Sequence, residues 1–511
     1  MPILNWLNKE YAVVAAKKSA YRLLQEIPDL SYGIPENENL LIQGDNLEAL
    51  KALIPFYAGK VKCIFIDPPY NTKSAFEHYD DNLEHSKWLS LMYPRLELLR
   101  ELLHESGSIW VSLDDNEAHY CKVIMDEVFG RSNFVSNCLW EKVYSERMDA
   151  KGFSTSHDHI LVYQKSSSFV VKQLPKEQKK SQFNFFDDVA NKYYRRRSLR
   201  KEGSESLRKH RPSMWYPITA PDGTDVFPVK PDGTEGRWRW KKENVLLRKT
   251  ELDYVKKESG WEIYVKQYQE EEATRPPATW FPSSEVGHNH EAKLEVKDLN
   301  SQNIFDTPKP ERLISRILQI ASDEGDIVLD SFLGSGTTAA VAHKMKRNYI
   351  GIEIGEHAVT HCQPRMIKVV EGKEGGISKA VNWQGGGGFR FYHLGECVFD
   401  EYGCLNTDIK FPTLASHIWY LETKTPLGNE ADNPLLGVHN DTAYYLLYNG
   451  ILGDRRPAGG NVLTSKVLNN LPDIDKYERI VIYGESSRLG EARLKQANIT
   501  FKQIPYDVGT L

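Results

Sequence analysis

Apolar residues recur along this chain in two patterns. Short unbroken runs that end on an acid appear early, as LLIQGD over 40–45 and VKCIFID over 61–67, and again far downstream, as DIVLD over 326–330 and NYIGIE over 348–353. Runs of this length, bounded by turn residues, predict strands buried on both faces. Helical spacing lies between them, in NLEALKALI (46–54), Lys87 to Leu103, Asn116 to Phe129 and ERLISRILQIA (311–321), with a further strand over Ser108 to Leu113. Strands alternating with helices predict a parallel sheet with crossover connections, the α/β class.

Three stretches depart from that pattern. Residues 1–30 read as a helical segment, with apolar positions at helical spacing from Tyr11 to Leu24. Residues 141–295 are aromatic, basic and rich in turns, and read as an insertion between a catalytic half (31–140) and a second half (296–375). Within it one turn occurs twice, Pro221-Asp222-Gly223-Thr224 and Pro231-Asp232-Gly233-Thr234, as consecutive tight turns require. Past the glycine run Gly385 to Gly388, the last part (376–511) ends in a small α/β pattern: RIVIYGE, SRLGEARLKQA and ITFKQIPY. We assign it to assembly.

Composition narrows the class. The chain has 511 residues, about three domains' worth at roughly 150 residues each. With 40% hydrophobic and 26% charged residues it is expected to be a globular enzyme. The net charge of -5 means that any surface for a polyanion must be local. Six scattered cysteines, no signal-peptide core and no apolar run long enough to span a bilayer lead us to expect a cytoplasmic protein without a membrane partner.

Two motifs carry chemistry. Asp330-Ser331-Phe332-Leu333-Gly334-Ser335-Gly336-Thr337-Thr338 runs from a strand into a helix, where a nucleotide-type ligand meets the carboxyl end of a parallel strand. Gly334 and Gly336 let the backbone approach a ligand, and Thr337 and Thr338 stand where free helix N–H groups collect. Glu353, ending the next strand, can accept from both ribose hydroxyls of an adenosine. Ala339 replaces the third glycine of the dinucleotide fingerprint and no P-loop lysine follows, so an adenosine ligand without phosphates remains. The second motif is Asp67-Pro68-Pro69-Tyr70, after the strand VKCIFI. Its prolines make a rigid rim of acceptors, suited to an exocyclic NH₂ with two protons to donate, beside an aromatic ring that can stack on a flat base.

These residues resemble the amino-methyltransferases that act on DNA with S-adenosylmethionine, whose D-P-P-Y and F-x-G-x-G motifs stand here in permuted order, the catalytic motif first. Gly44-Asp45, Thr307-Pro308-Lys309-Pro310-Glu311-Arg312-Leu313-Ile314, PDGTEGRWRW (231–240) and GHNHEAK (287–293) extend the likeness to the modification subunit of type III restriction-modification systems. The resemblance implies a doubly wound, mostly parallel, Rossmann-like methyltransferase sheet with an inserted recognition domain and a C-terminal α/β appendage. It implies methyl transfer to the N6 amine of a flipped-out adenine, Asp67 and the Pro68 carbonyl binding that amine beside Pro69 and Tyr70. Phe332 and the backbone of Gly334, Ser335, Gly336 and Thr337 would hold the methionine part of the cofactor, Glu353 the ribose and Asp45 the adenine, with Lys309 and Asp330 completing the set. Double-stranded DNA, a second copy of the chain and an ATP-dependent restriction subunit are the implied partners. Cytosine-N4 transfer and a stand-alone adenine enzyme are the alternatives, and Asp rather than Ser at position 67 favours adenine.

The insertion concentrates positive charge in KYYRRRSLRKEGSESLRKHR (192–211), so Arg195, Arg196, Arg197, Arg200, Arg208, Arg211 and, further on, Arg239 are the candidate DNA contacts. His157-Asp158-His159 and His288-Asn289-His290 each set two imidazoles on one face of an extended segment. No acid or cysteine stands at ligand spacing beside them, so no metal is expected. Cys63 is expected in the core rather than as a nucleophile.

Overall fold

The computed structural model describes the chain apart from residues 1–2, 35–38, 72–83, 147, 149, 151, 177, 179, 259, 271–272, 300–304, 306, 374, 400–404, 407–408, 429–430, 449–450, 453–460, 505–507 and 509–511. It divides into two compact units, Met1–Lys172 with Ala278–Leu511, and Gln173–Pro277.

The largest sheet of the first unit has eleven strands among the described residues. The eight that form its body are, in chain order, β1 (Leu40–Gln43), β2 (Val61–Ile66), β3 (Leu103–Leu113), β4 (Phe134–Glu141), β5 (His157–Gln164), β6 (Ile327–Asp330), β7 (Asn348–Glu353) and β8 (Gly388–Cys397). Side by side they run β8-β1-β7-β6-β2-β3-β5-β4. The first six are mutually parallel, and β5 runs antiparallel to both β3 and β4. The apolar runs behave as parallel strands must, with nearly every residue of β1, β2, β6 and β7 buried.

Helices complete the alternation: α1 (Asn46–Tyr57), α2 (His85–Leu102), α3 (Ala118–Met125), α4 (Glu311–Ala321) and α5 (Thr337–Lys344). Helix α2 buries Trp88, Leu89, Met92, Leu96 and Leu99, one stripe at helical spacing. All eight residues of α5 are buried, so this helix lies wholly inside the unit. The chain passes from β2 through α2 to β3 on one side, and from β6 through α5 to β7 on the other. The strand order therefore reverses between β2 and β6. In open α/β sheets the crevice outside the carboxyl ends at such a reversal is where ligands bind.

A buried charge cluster ties α4, α5 and the loop before α5 together. Glu311, 1% exposed, accepts from Lys344 Nζ at 2.7 Å, Arg365 Nη2 at 2.9 Å and the Ile377 N–H at 2.9 Å. Arg365 also donates to Thr337 Oγ1 at 2.9 Å. The two cations hold the Glu311 carboxyl below its ordinary range against the opposing effect of burial.

The second unit carries an antiparallel sheet of Leu252–Lys257, Gly260–Tyr268, Lys192–Ser198 and Phe185–Asp187, in that order, over a core that includes Leu199, Trp238, Ile263 and Val265. Both repeated turns form: Gly223 and Gly233 have φ of 86° and 81°, and each donates its N–H at 2.9 Å to the carbonyl three residues back.

Three expected boundaries shift. Strand β5, inside the expected insertion, belongs to the central sheet, so the separate unit is Gln173–Pro277 rather than 141–295. The N-terminal helix covers only Lys9–Lys18, because Arg22–Glu26 pairs antiparallel with β8 and that edge pairing overrides the helical spacing. Strand β8 itself joins the central sheet beside β1, so the expected C-terminal part (376–511) contributes to that sheet before its own strands Leu435–His439, Thr442–Leu446, Arg479–Gly484 and Ile499–Gln503 begin.

Removing Glu311 leaves two buried cations without their acceptor. Glu311→Leu is expected to lower the unfolding free energy by about 3–5 kcal/mol. Chemical denaturation followed by tryptophan fluorescence checks this, and an unshifted midpoint contradicts it.

Candidate active site

Both motifs lie at the reversal. β2 pairs with β6 through Cys63 with Val328 and Ile64 with Leu329, so the residues that follow the two strands, Asp67 to Tyr70 and Asp330 to Thr337, emerge from neighbouring carboxyl ends. Glu353 ends β7 on the far side of β6, and Asp45 follows β1 next to it. Four adjacent strands therefore present the predicted residues along one edge.

The corner at Asp67 to Tyr70, the expected catalytic motif, is held from several directions. One oxygen of Asp67, Oδ2, is bound by the Lys309 ammonium; the other, Oδ1, is buried and accepts no hydrogen bond among the described residues. Burial pushes the Asp67 carboxyl above its ordinary value and the Lys309 cation opposes that rise. Lys309 lies 5.1 Å from the centre of the Tyr70 ring and 5.8 Å from that of Trp140, a cation between two aromatic faces. The Tyr70 hydroxyl meets Ser112 Oγ at 2.8 Å and donates to Asp158 Oδ2 at 3.2 Å. Asp158 in turn accepts from Lys142 Nζ at 2.6 Å. Trp88 Nε1 donates to the Pro69 carbonyl at 2.7 Å and so fixes the proline rim. Burial keeps the Tyr70 phenol neutral.

The glycine loop is equally constrained. Asp330 accepts from the Phe332 N–H at 3.0 Å and the Thr338 hydroxyl at 2.6 Å. Burial pushes this carboxyl up to about 7, those two bonds opposing the rise. Gly334 and Gly336 take φ of 57° and 83°, and a Cβ on Gly334 would stand 3.1 Å from the Phe305 ring. Glu353 Oε2 accepts from the Gly334 N–H at 2.7 Å, while Arg365 donates to the Ser335 carbonyl at 3.3 Å. Phe332 is half-buried at the head of the loop, and Ser331 Oγ is buried without a hydrogen-bond partner among the described residues. Asp45 caps α1, accepting from the Leu47 N–H at 2.8 Å and from Arg95 at 3.1 Å, and its side chain stays 40% exposed.

Lys309 differs from its expected place with the cofactor loop, since its ammonium pairs with Asp67 in the catalytic corner. The buried carboxylate is the nearest anion able to offset the burial of that cation. Sequence reading missed Ser112, Asp158, Trp88 and Arg365. Their partners lie on other elements, and no short spacing signals them.

In the second unit, alternation along Lys192–Ser198 divides the arginines. Arg195 and Arg197 line one cavity of about 430 Å³, which Arg239, Arg248, Lys266, Trp240 and Tyr268 also border. Arg196, on the opposite face of the strand, donates to Asp253 at 2.6 Å. Arg200 donates to the Val229 carbonyl at 2.6 Å and Arg208 to Glu235 at 2.9 Å. Arg211 is exposed and outside the cavity lining.

Residues 61–364 match the model of a family described as DNA methylase. The chain is 33% identical over 413 residues to the type III restriction-modification enzyme EcoPI Mod subunit of Escherichia phage P1, covering 69% of this chain and 63% of that protein. It is 32% identical over 378 residues to the StyLTI Mod subunit of Salmonella typhimurium, covering 66% of this chain and 55% of that one. Against the type II methyltransferase M.KpnI of Klebsiella pneumoniae the figures are 29% over 362 residues, 66% and 84%. The chain thus spans less than two thirds of the length of the two Mod subunits. The family match takes in more than half of the chain and both strand tips: the protein belongs to the DNA methylase family.

Proposed function

We propose that the chain transfers a methyl group from S-adenosylmethionine to the N6 amine of an adenine everted from double-stranded DNA, as the modification subunit of a type III restriction-modification system. The buried, unpartnered Oδ1 of Asp67, at the strand tip next to the glycine loop, is the observation that carries this reading. An aniline-like amine has its lone pair delocalised into the ring. Hydrogen bonds from its two protons to Asp67 Oδ1 and the Pro68 carbonyl would turn that pair out of the ring plane and toward the cofactor loop. Tyr70, its hydroxyl anchored, offers a fixed face for the everted base. Catalysis on this reading is positioning and electrostatic complementarity.

The residues of the loop fit the cofactor: the half-buried Phe332 ring, the unpartnered Ser331 hydroxyl and the exposed part of the Asp45 carboxylate suit an adenosine bearing an amino acid, and there is no phosphate-binding lysine. When bound, it supplies an electrophilic methyl on a sulfonium that needs no further activation. Asp330, Glu353 and Arg365 then act by holding the loop's backbone in place.

The cavity bordered by Arg195, Arg197 and Arg239 is the part of the second unit we assign to DNA phosphates, although Arg195 also donates to Gln267 and Gln182 and Arg239 to the Ser198 carbonyl; Arg196, Arg200 and Arg208 lie outside its lining. Self-dimerisation and docking of an ATP-dependent restriction subunit rest on likeness to the Mod subunits. A second reading, a stand-alone adenine methyltransferase, is favoured by coverage of 84% of M.KpnI. No helix among the described residues is long and apolar enough to cross a membrane, and Cys63, Cys121, Cys138, Cys362 and Cys397 are unpaired, which supports a place in the reducing cytoplasm.

Duplex DNA treated with the protein and cofactor, then digested to nucleosides, is expected to contain N6-methyladenine; N4-methylcytosine would overturn the adenine assignment. Asp67→Ala should lower turnover by about 100-fold or more with cofactor affinity, measured by calorimetry, little changed.

Lys309→Met removes the cation that opposes protonation of Asp67. The carboxyl then titrates higher, and since its ionised form is the stronger acceptor for the amine proton, the acid limb of the rate profile moves to higher pH. Rates measured from about pH 6 to pH 9 should show the loss shrinking as pH rises, whereas a uniform loss would remove Lys309 from this role.

Replacing Arg195 and Arg197 together by Ala should weaken DNA binding alike for all sequences and reduce the slope of log affinity against log salt by about two. An unchanged slope, measured by fluorescence anisotropy across salt concentrations, excludes the cavity from phosphate contact.

A further inference from the structure

Beside the catalytic corner, but on the other face of β5, three metal-type ligands converge. His157 and His159 stand two apart on β5, and the alternation of a strand turns both away from Asp158, which faces Tyr70. The acid that the sequence lacked at ligand spacing is Asp115, from the turn after β3, brought in because β3 ends its pairing with Leu113 opposite His159. One ligand atom each from Asp115, His157 and His159 lies within 4.8 Å of the others, and His159 Nε2 is 2.9 Å from Asp115 Oδ1. His119, at the start of α3, sets its ring edge-on to His159 with centres 5.5 Å apart.

The hydrogen bonds around His159 point to a cation. Its Nδ1 lies 3.0 Å from Asn137 Nδ2, whereas Asn137 Oδ1 is buried with no hydrogen-bond partner among the described residues. The two ends of a carboxamide have the same shape, so rotating it by half a turn places Oδ1 against Nδ1. The orphaned oxygen is then satisfied, His159 carries its proton on Nδ1, and the Nε2 lone pair faces the Asp115 carboxylate. Two acceptors at that distance are reconciled by a proton or a metal ion shared between them. A ring N–H fixed by an amide oxygen, with the other nitrogen facing a carboxylate, is also how metal-bound histidines are oriented.

We propose that Asp115, His157 and His159 form a binding site for a divalent transition metal of the zinc class, with Asn137 as the positioning residue for His159. Two borderline imidazoles beside one hard carboxylate suit zinc, cobalt or nickel over magnesium or calcium, which prefer all-oxygen ligands. The site clamps the turn after β3 to β5, the two elements that supply Ser112 and Asp158 to the Tyr70 hydroxyl. It stands whether or not the chain transfers methyl groups.

The test uses the full chain, stripped of metal with a chelator and titrated with zinc against a chromophoric competitor, and with cobalt for its visible spectrum. One equivalent of zinc per chain is expected, with a rise in the melting temperature of the stripped protein. Asp115 is exposed and His157 half-buried, so Asp115→Asn and His157→Ala should keep the fold of the stripped chain, lose at least about 10-fold in zinc affinity and lose the zinc-dependent rise in melting temperature. His288→Ala, in the other histidine pair, should titrate as the parent does. Binding below one equivalent, or equal binding by the parent and by Asp115→Asn and His157→Ala, overturns the site.

Discussion

The pairing of β2 with β6 is the constraint on which everything else depends. Each strand alone ends in a short polar loop of no particular competence. Laid side by side in parallel, with Ile64 against Leu329, they bring a carboxylate tip and a glycine tip to one edge of one sheet. Both strands are buried on each face, so a slip of one residue would exchange their inward and outward side chains and expose none of them to relief by solvent. The register is therefore fixed by packing, and the alignment of the two loops follows from it. The reversal of strand order at this pair opens the crevice, because the crossover helices depart to opposite sides.

Charge in this crevice is arranged by the same logic of burial. Burial makes a carboxylate easier to protonate, and it pushes the Asp330 carboxyl up to about 7. Glu311 avoids that by taking two cations and a backbone N–H. Asp67 stands between these cases: Oδ2 has a cation, and the buried Oδ1 accepts no hydrogen bond among the described residues. A site meant only for stability would have satisfied both oxygens, since an unpartnered buried acceptor is destabilising by about 1–3 kcal/mol. The half-satisfied Asp67 carboxylate leaves one acceptor unsatisfied, among the described residues, at the strand tip next to the glycine loop.

The parts of this design that were legible in the sequence are those written in adjacent residues. β1, β2, β6 and β7 announced themselves as apolar runs because parallel strands are apolar on both faces, and their loops carry their glycines, prolines and acids in one place. β5 was hidden by the polar residues at its ends, His157, Asp158 and Gln164, and β8 by the glycine run before it. Once β5 was unrecognised, Asp115 had no visible relation to His157 and His159. The arginine strip shows the same failure at finer scale: without knowing that 192–198 is a strand, nothing separates Arg195 and Arg197, which face the cavity, from Arg196, which is paired with Asp253.

Lys309 illustrates why side-chain partnerships resist sequence reading even within a recognised motif. It precedes α4, in the half of the chain that carries the glycine loop, and motif order alone assigns it to that loop. Parallel neighbours have their carboxyl ends on the same edge, however, so a residue brought to one tip is within reach of the next. Between Tyr70 and Trp140, its ammonium is better stabilised at Asp67 than in an open loop, because aromatic faces and a carboxylate act together on the same charge. The cation thereby links the two halves of the site. The same contact that opposes protonation of Asp67 anchors the segment leading into α4, whose first residue, Glu311, holds Arg365 and through it the backbone of the glycine loop. Acceptor and loop are thus linked by two ion pairs, Asp67 with Lys309 and Glu311 with Arg365, joined through the backbone of 309–311 and ending in the hydrogen bond from Arg365 to the Ser335 carbonyl.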